Sequence, residues 1–297
     1  MKILITGGLG YLGKNFIKKF CNIHEIIIFS KTISEIDFLK QHNIIVEKGC
    51  IENIEIFNVM KKHKPEITLH FAALTGLKKC EDEPSKAFLI NTFGTFNVAK
   101  ACLSEKSKMI FLSSREVYGE TVGKESREND PLNPINIYGE SKMMAEDIIQ
   151  KFGKIQELKF NILRLTNVYG NGNENRGINK MINSAIETNT IQINGGNQTL
   201  NLIYVDDVVE IINNIITNDN ISNKIINLGS NDTLTINQLS KSISNILGNK
   251  IELKYFPKKS YEVNYFKPNL EKLKKIPIKI QPIKLEEGLK KIIETSS

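Results

Sequence analysis

Tyr138 and Lys142 are the two residues whose types and spacing most readily suggest catalysis. Residues four apart on a helix lie one turn apart on the same face, so the spacing predicts a phenol beside an ammonium group. An unperturbed tyrosine has a pKa near ~10 and moves protons poorly at neutral pH, whereas a neighbouring cation favours the phenolate and lowers that pKa. The pair therefore predicts an acid–base tyrosine, provided that the chain places a cofactor and a substrate beside it.

The elements that must position this pair follow a regular rhythm from the N-terminus to about residue 165. Short apolar runs alternate with helical patterns, which predicts a parallel sheet covered on both faces. The predicted strands are Lys2 to Thr6, Glu25 to Phe29, Ile44 to Lys48, Ile67 to Phe71, Lys108 to Ser113 and Phe160 to Leu165. The predicted helices are Leu12 to Phe20, Ile54 to Lys62, Pro84 to Ser104 and Ile137 to Phe152. The fold class is therefore α/β, a doubly wound parallel sheet of the Rossmann type.

The texture of the sequence changes after Tyr169, where Asn- and Gly-rich segments separate shorter elements. We predict a dinucleotide-binding domain over residues 1–169 and a smaller C-terminal substrate-binding lobe over residues 170–297. A segment near 203–230 is expected to return to the first domain. The elements predicted in this part are a helix after Asp206-Asp207, a strand from Ile225 to Leu228, and helices over Thr235 to Leu247 and Leu285 to Glu294.

The composition argues against several classes of protein. The 297 residues are 40% hydrophobic, yet no apolar run is long enough to span a membrane and no leader pattern is evident, so we expect a cytoplasmic protein without a membrane partner. The four cysteines are scattered without metal-ligand spacing, which predicts reduced thiols and no metal site. The net charge of +7 is spread along the whole chain, so it does not predict a nucleic-acid partner.

Gly7, Gly10 and Gly13 stand where the first predicted strand passes into the first helix. The first glycine permits a tight turn, the second lets the backbone approach a pyrophosphate, and the third allows close helix packing. Tyr11 and Leu12 lie between them, at a helix N-terminus whose N–H groups can bind the anion. The segment therefore predicts a dinucleotide site.

The ends of the next strands bear on which nicotinamide cofactor is used. An acidic residue after the second strand would bind the ribose hydroxyls, whereas a 2′-phosphate needs cations and small donors. The chain has Ser30 and Lys31 there, which favours NADP within a general prediction of NAD(P). Cys50 and Ile51 are predicted beside the adenine, and Ala72, after the fourth strand, is a further predicted cofactor contact.

Further motifs follow in order along nearly the whole chain. They are Ser113-Ser114-Arg115-Glu116-Val117-Tyr118-Gly119, Arg164-Leu165-Thr166-Asn167-Val168-Tyr169-Gly170, Ile203-Tyr204-Val205-Asp206-Asp207-Val208 and Ile226-Asn227-Leu228-Gly229-Ser230. Together with the glycine turn, Asn91 and the Tyr138/Lys142 pair, they make the chain resemble the extended short-chain dehydrogenase/reductases. More narrowly, the chain is similar to the nucleotide-sugar epimerase and dehydratase branch.

The resemblance implies a role for each matching residue. Ser114 hydrogen-bonds the sugar hydroxyl that is oxidised, Tyr138 takes its proton, and Lys142 binds the nicotinamide ribose and depresses the tyrosine pKa. The protein then positions the substrate and manages protons while the cofactor performs the redox step. Asn91 is implied to support the helix or a water beside Lys142, and Asn167 to contact the phosphates of a nucleoside-diphosphate sugar.

Three positions depart from the family's pattern. Ser30 replaces the usual acidic residue and Cys50 replaces the usual aspartate on the adenine side, so both put NAD in doubt. Leu200 stands where many members carry a diphosphate-binding arginine, and leucine cannot make that charge-assisted bond. We expect Arg176 or a lysine to replace that cation, unless the substrate is held differently.

Glu116 separates the possible reactions. In the family's 4,6-dehydratases a glutamate here abstracts a proton, often with a preceding aspartate as the acid, but the preceding residue in this chain is Arg115. A cation at that position predicts an ion pair that holds Glu116 ionised. We therefore predict a nucleotide-sugar 4-epimerase, which needs only Ser114, Tyr138, Lys142 and a tightly held cofactor.

The alternatives are an NADPH-dependent 4-keto-sugar reductase and a 4,6-dehydratase that uses Glu116 as a catalytic base. A non-enzymatic NADP sensor or an RNA-binding relative is disfavoured, because such relatives commonly lose part of the catalytic set that this chain keeps. By analogy with the family, the helices over Pro84 to Ser104 and Ile137 to Phe152 predict a homodimer.

Overall fold

The computed structural model describes residues 1–33, 36–42, 44–121, 123–172, 177–218, 220–248, 250–277 and 281–296. Seven parallel strands of this described part form the main sheet. In order across the sheet they are β10 (Lys224–Leu228), β6 (Phe160–Leu165), β5 (Lys108–Ser114), β4 (Ile67–His70), β1 (Lys2–Thr6), β2 (Glu25–Ser30) and β3 (Ile45–Lys48). The central strands are almost wholly buried, as expected for a parallel sheet with both faces covered. The predicted doubly wound sheet is confirmed, and β10 joins its edge from the C-terminal half.

Helices cover both faces of this sheet. The helices in chain order are α1 (Tyr11–Phe20), α2 (Ile36–Gln41), α3 (Glu55–His63), α4 (Leu77–Asp82), α5 (Pro84–Ala87), α6 (Thr95–Ser104), α7 (Ile137–Gln156), α8 (Gly177–Thr188), α9 (Val205–Ile216), α10 (Ile236–Leu247), α11 (Glu271–Lys274) and α12 (Leu285–Ser296). On one face, Phe16 of α1 and Val208 of α9 belong to the same buried cluster. On the other face, Ile56 of α3, Val98 of α6 and Ile149 of α7 form a second cluster. The catalytic pair predicted from the sequence lies on α7, on this second face.

The single helix predicted over residues 84–104 is interrupted in the structure. A π-helix over Phe88–Gly94 separates α5 from α6. A π turn contains an extra residue and is often found at functional sites. Asn91 lies within it: its carbonyl accepts a hydrogen bond from the Thr95 hydroxyl at 2.6 Å, and its side chain donates to the hydroxyl of Ser141 on α7 at 3.0 Å. Through Asn91, the π-helix is therefore linked to α7.

The smaller lobe is built on two short sheets. Its strands are β7 (Asn167–Tyr169), β8 (Thr190–Asn194), β9 (Thr199–Tyr204), β11 (Thr233–Thr235) and β12 (Glu252–Phe256). β9 lies between β7 and β11, and β8 pairs with β12. Ile182 of α8, Leu239 of α10 and Leu289 of α12 pack together in its core. Thr235 caps α10 through a reciprocal pair of hydrogen bonds with Gln238.

Candidate active site

Ser114, Tyr138 and Lys142 come together where β5 ends and α7 begins. Ser114 is the last residue of β5 and caps a short 3-10 turn over Arg115–Tyr118, accepting a hydrogen bond from the backbone of Glu116 at 3.2 Å. The Ser114 side chain interacts with Tyr138 and favours its ionised form. The Lys142 ammonium donates to the carbonyl of Leu112 on β5 at 2.8 Å and lies 4.5 Å from the centre of the Phe111 ring. The three residues predicted to be catalytic therefore share one site.

The N-terminus of α7 is held close to the 3-10 turn. Asn136 caps the helix, its side-chain oxygen accepting from the backbone of Gly139 at 2.8 Å. A Cβ atom at Gly139 would lie only 2.5 Å from the carbonyl oxygen of Glu116. Only glycine permits this approach, so Gly139 sets the distance between Tyr138 and the end of β5.

The electrostatics of the pair differ from the sequence prediction. Burial raises the pKa of Tyr138 above its ordinary value, and the negative charge of Glu116 acts in the same direction. Burial lowers the pKa of Lys142 to about 7, while the nearby Glu146 carboxylate opposes that shift. The expected lowering of the tyrosine pKa by Lys142 is therefore wrong for the protein alone. Desolvation dominates the Tyr138 pKa, and the Lys142 ammonium is directed at the Leu112 carbonyl.

Glu116 has a partner at each carboxylate oxygen. Arg115 forms an ion pair with one oxygen at 2.8 Å, and the Asn136 amide donates to the other, also at 2.8 Å. The Arg115 guanidinium lies 5.5 Å from the centre of the Phe266 ring, and both charged residues are buried. The predicted Arg115–Glu116 ion pair is therefore present. It also carries a structural role, because Asn136 is the residue that caps the catalytic helix.

The glycine turn forms a cradle that suits a dinucleotide pyrophosphate. Gly7 has a φ of +68°, and a Cβ atom there would lie 2.7 Å from the backbone nitrogen of Ala72. α1 begins after Gly10 with no side-chain cap and no acidic residue in its first turn. Its N-terminal N–H groups and helix dipole therefore favour an anion at this place. Tyr11, Leu12 and Gly13 occupy the first turn, as the sequence predicts.

His70, which the sequence analysis did not single out, is buried between the cradle and α6. Its ring nitrogens contact the hydroxyls of Thr6 at 2.7 Å and Thr95 at 2.9 Å. The Thr95 hydroxyl donates its single proton to the Asn91 carbonyl, so His70 must donate from Nε2 and accept from Thr6 at Nδ1. Burial, with the Lys142 charge, lowers the pKa of His70 to about 3, which keeps it neutral. The only sequence signal was a histidine ending a buried strand.

The residues predicted on the adenine side lie at the ends of β2 and β3. Ser30 ends β2, and its carbonyl accepts from the backbone of Gly49. Cys50 is partly exposed, and its pKa is raised by burial and by the nearby Glu52 carboxylate, while the charge of Lys31 acts against the shift. Ile51 is buried and its carbonyl accepts from Asn97, so it shapes the loop from within the core. Contact of these residues with a cofactor stays a prediction.

The remaining predicted residues fall in different places. The Asn91 side chain accepts from the backbone of Leu74 at 2.7 Å and donates to Ser141, so it joins two segments of the site. Asn167 begins β7, and its amide donates to the carbonyl of Asn201 at 3.3 Å, on the strand that carries Leu200. Arg176 lies outside the described residues. A role for Asn167 in substrate binding stays a prediction.

Two features are absent from the part of the chain that the structure describes. No group of three or more His, Cys, Asp or Glu side chains in them could hold a metal ion. None of the helices built from them is both long enough and apolar enough to cross a membrane.

A dinucleotide cradle, a doubly wound sheet and a Ser–Tyr–Lys set at one strand end define a nicotinamide-dependent enzyme of the short-chain dehydrogenase/reductase class. Residues 3–229 match the family model described as the NAD dependent epimerase/dehydratase family, and the chain belongs to that family. The predicted family and the prediction of an enzyme are thereby confirmed.

Individual relatives cover different shares of the chain. A dTDP-D-glucose 4,6-dehydratase of Dictyostelium discoideum is 31% identical over 82% of this chain, a match that spans 62% of the longer relative. A putative UDP-glucose 4-epimerase of Methanocaldococcus jannaschii is 28% identical over 98% of this chain and 97% of its own length. The crystal structure of a UDP-glucose 4-epimerase from Thermotoga maritima with UDP-glucose has a TM-score of 0.91 and 28% identity, covering 99% of this chain and 98% of that one.

Proposed function

We propose that the protein is a nucleotide-sugar 4-epimerase, which oxidises a nucleoside-diphosphate sugar at carbon 4 and reduces the resulting ketone from the other side. The observation that carries the proposal is the state of Glu116, whose two oxygens are engaged by Arg115 and Asn136. A dehydratase would need this carboxylate to abstract a proton. An epimerase needs only the Ser114, Tyr138 and Lys142 set, and that set is assembled.

The roles of the chain's own residues follow from their contacts. Ser114, whose side chain interacts with Tyr138, orients the sugar hydroxyl so that the phenolic oxygen can take its proton and later return it. The Lys142 ammonium is held in place by the Leu112 carbonyl of β5. It supplies the positive charge that favours the ionised phenol in the reacting complex. A bound nicotinamide supplies the chemistry of hydride acceptance and return. Gly7, Gly10 and the start of α1 would hold the pyrophosphate of the dinucleotide cofactor.

The comparisons support this choice through their coverage. The relative described as a putative UDP-glucose 4-epimerase matches this chain along almost its full length, whereas the dTDP-D-glucose 4,6-dehydratase of Dictyostelium discoideum extends well beyond the matched part. A UDP-sugar is therefore the first substrate to test.

The cofactor preference is a separate proposal. We infer that NADP is accepted, because β2 ends at Ser30 and is followed by Lys31, with no carboxylate there to bind the ribose hydroxyls. An NADPH-dependent 4-keto-sugar reductase is the second candidate on the same observation. The two reactions differ in cofactor balance, because a reductase consumes one NADPH for each turnover and an epimerase consumes none.

We also propose a homodimer formed through α5, the π-helix, α6 and α7. These elements present large apolar side chains to solvent: Leu89 and Phe93 are each 48% exposed, and Met144 is 43% exposed. Apolar residues grouped in this way mark interaction surfaces. Light scattering should give twice the monomer mass of 33.6 kDa, and Phe93→Glu should shift the protein to monomer. Cytoplasmic location stays a prediction from the sequence.

The decisive experiment combines cofactor identification with turnover. Mass spectrometry of cofactor released from purified protein identifies NAD or NADP, and a panel of UDP-, GDP- and dTDP-sugars is then assayed with the NADPH absorbance recorded. Redox-neutral isomerisation supports the epimerase, net NADPH oxidation the reductase, and loss of water the dehydratase. Glu116→Gln should retain most activity in an epimerase and lose it in a dehydratase, whereas Tyr138→Phe should abolish either reaction.

A further inference from the structure

Four residues that the proposed chemistry leaves unexplained, three of them from the sequence motifs, meet in one buried network behind the active site. They come from four separate parts of the chain and are Tyr118, Glu146, Arg164 and Asn227. Tyr118 donates to the Asn227 side chain at 2.7 Å and accepts from Arg164 at 2.9 Å. Arg164 in turn binds Glu146. The network therefore joins the 3-10 turn, α7, β6 and β10 behind the catalytic residues.

The centre of the network is a fully desolvated ion pair. Arg164 and Glu146 have side chains that are 2% and 0% exposed. The guanidinium contacts the carboxylate through two nitrogens, with Nη2 at 2.6 Å from Oε2 and Nε at 3.0 Å from Oε1. The Ser113 hydroxyl also donates to Oε1. An isolated buried ion pair often stabilises a protein no better than well-packed apolar residues would, so its presence here calls for another reason.

That reason lies in the pattern of contacts between β5 and α7. Three consecutive residues of β5 each contact α7, and the contacted residues are four apart along the helix. The Ser114 side chain interacts with Tyr138, the Leu112 carbonyl accepts from Lys142, and Ser113 donates to Glu146. Residues at this spacing form one stripe on a helix. Glu146 therefore continues the catalytic stripe by one turn, into the core.

We propose that Glu146 is a positioning residue for Lys142, and that the Arg164–Glu146 pair fixes α7 on β5 so that Lys142 remains beside Tyr138. The expected effect on catalysis rests on the proposed function, whereas the contacts of Glu146 do not depend on that function. The pair also acts on Lys142 electrostatically, because the Glu146 carboxylate favours the ammonium that burial disfavours.

The charges around Lys142 come from several elements. Glu146 and Tyr138 lie on α7 itself, Cys80 faces Lys142 from α4, and His70 faces it from β4. His70 is neutral above about pH 3, and burial raises the pKa of Cys80 to about 11, so neither changes charge near neutral pH. A change in the titration of Lys142 on replacing Glu146 can therefore be assigned to that carboxylate.

The test compares Glu146→Gln with Asp147→Asn, a matched loss of one carboxylate at the neighbouring position on the same helix. Asp147 is exposed and bound only to Lys151 among the contacts described for it, at 2.6 Å. Because Glu146→Gln leaves Arg164 buried without its anion, Glu146→Gln/Arg164→Met provides a second variant without an unpaired charge. The first readout is the NMR titration of the Lys142 side chain in protein stripped of cofactor, and the second is the pH profile of kcat.

Glu146→Gln and the double variant should lower the midpoint of the Lys142 titration by about one pH unit, since an opposite charge nearby raises a lysine pKa by that order. For a working enzyme, kcat should fall about 10- to 100-fold with KM changed less than about threefold, because a catalytic group misplaced by about 1 Å costs that much. Asp147→Asn should match the wild type in both readouts.

A double variant that folds and matches Asp147→Asn in both the Lys142 titration and the kcat profile would overturn the proposal. If no nucleotide sugar is turned over by the wild type, the proposed function fails while the titration alone still decides the role of Glu146. An unchanged titration then refutes the positioning role, and a lowered one supports it.

Discussion

Replacing Lys142 by methionine should stabilise the protein stripped of cofactor, although it removes a catalytic residue. Burial lowers the pKa of Lys142 to about 7, against 10.5 for an unperturbed lysine. At about 1.4 kcal/mol per pH unit, this gap corresponds to about 5 kcal/mol by which the charged side chain destabilises the fold. Methionine fills similar space without a charge, but it leaves the Leu112 carbonyl without its donor, which costs about 1–3 kcal/mol. The net gain expected at pH 6 is therefore about 2–4 kcal/mol.

The sign of the pH dependence follows from proton binding. Between about pH 7 and 10.5 the unfolded chain carries a proton on Lys142 that the folded protein has lost. Stability of the wild type attributable to this residue therefore rises with pH across that window. The advantage of Lys142→Met is full below pH 7 and shrinks steadily toward pH 10.

Urea denaturation at pH 6, 7.5 and 9 measures this difference directly, provided that bound cofactor is removed first, because a ligand of the native state would add its own stabilisation. Lys151→Met is the matched control: it lies on the same helix, is exposed and pairs with Asp147, so its removal should change stability by less than about 1 kcal/mol. The electrostatic reasoning would be refuted if the Lys142→Met protein were less stable than the wild type at pH 6. It would also be refuted if the two proteins differed in free energy of unfolding by the same amount at all three pH values.

Three further outcomes are expected. Gly139→Ala should lower kcat about 10- to 100-fold with little change in KM, because the added methyl group would lie 2.5 Å from the Glu116 carbonyl and push Tyr138 away from Ser114; steady-state kinetics test this. The wild type should lose stability as the pH falls from 6.5 to 4, because the unfolded histidine binds a proton near pH 6.5 and the buried one only near 3. His70→Gln should reduce this loss by about 1.4 kcal/mol per pH unit in acid unfolding curves. The curves would show no change if His70 were charged in the fold. Gly7→Ala should abolish the protection from heat that millimolar NAD or NADP gives the wild type, because the turn needs a φ of +68° and the methyl group would strike Ala72; retained protection would contradict the assigned cradle.

The parts of the fold and site that local pattern determines could be predicted from the sequence. Strand and helix periodicity locates β1 and α7, the glycines mark the turn between β1 and α1, and the spacing of Tyr138 and Lys142 alone places them on one helical stripe. These features depend on residues at most a few positions apart, so they are visible in a single sequence.

Features that depend on distant partners could not be predicted in the same way. His70 contacts Thr6 across 64 positions of sequence, and the Asn136 cap reaches Glu116 across 20. The π-helix within residues 84–104 has apolar positions that fit an ordinary helix equally well. The pKa of Lys142 depends on how deeply α7 is buried, so the sequence predicted a charged neighbour for Tyr138 without the desolvation that opposes it.

The two buried ion pairs act on the catalytic couple in opposite ways. Glu146 lies near Lys142 and favours its positive charge, whereas Glu116 lies near Tyr138 and disfavours its ionisation. A free, ionised Glu116 would therefore oppose the phenolate that an acid–base tyrosine needs. Arg115 reduces this conflict by placing a guanidinium on the same carboxylate at 2.8 Å. The geometry thus gives a reason, independent of any motif, for Glu116 to serve as a structural partner of Asn136, and it fits the proposed 4-epimerase because that reaction needs no base at this position.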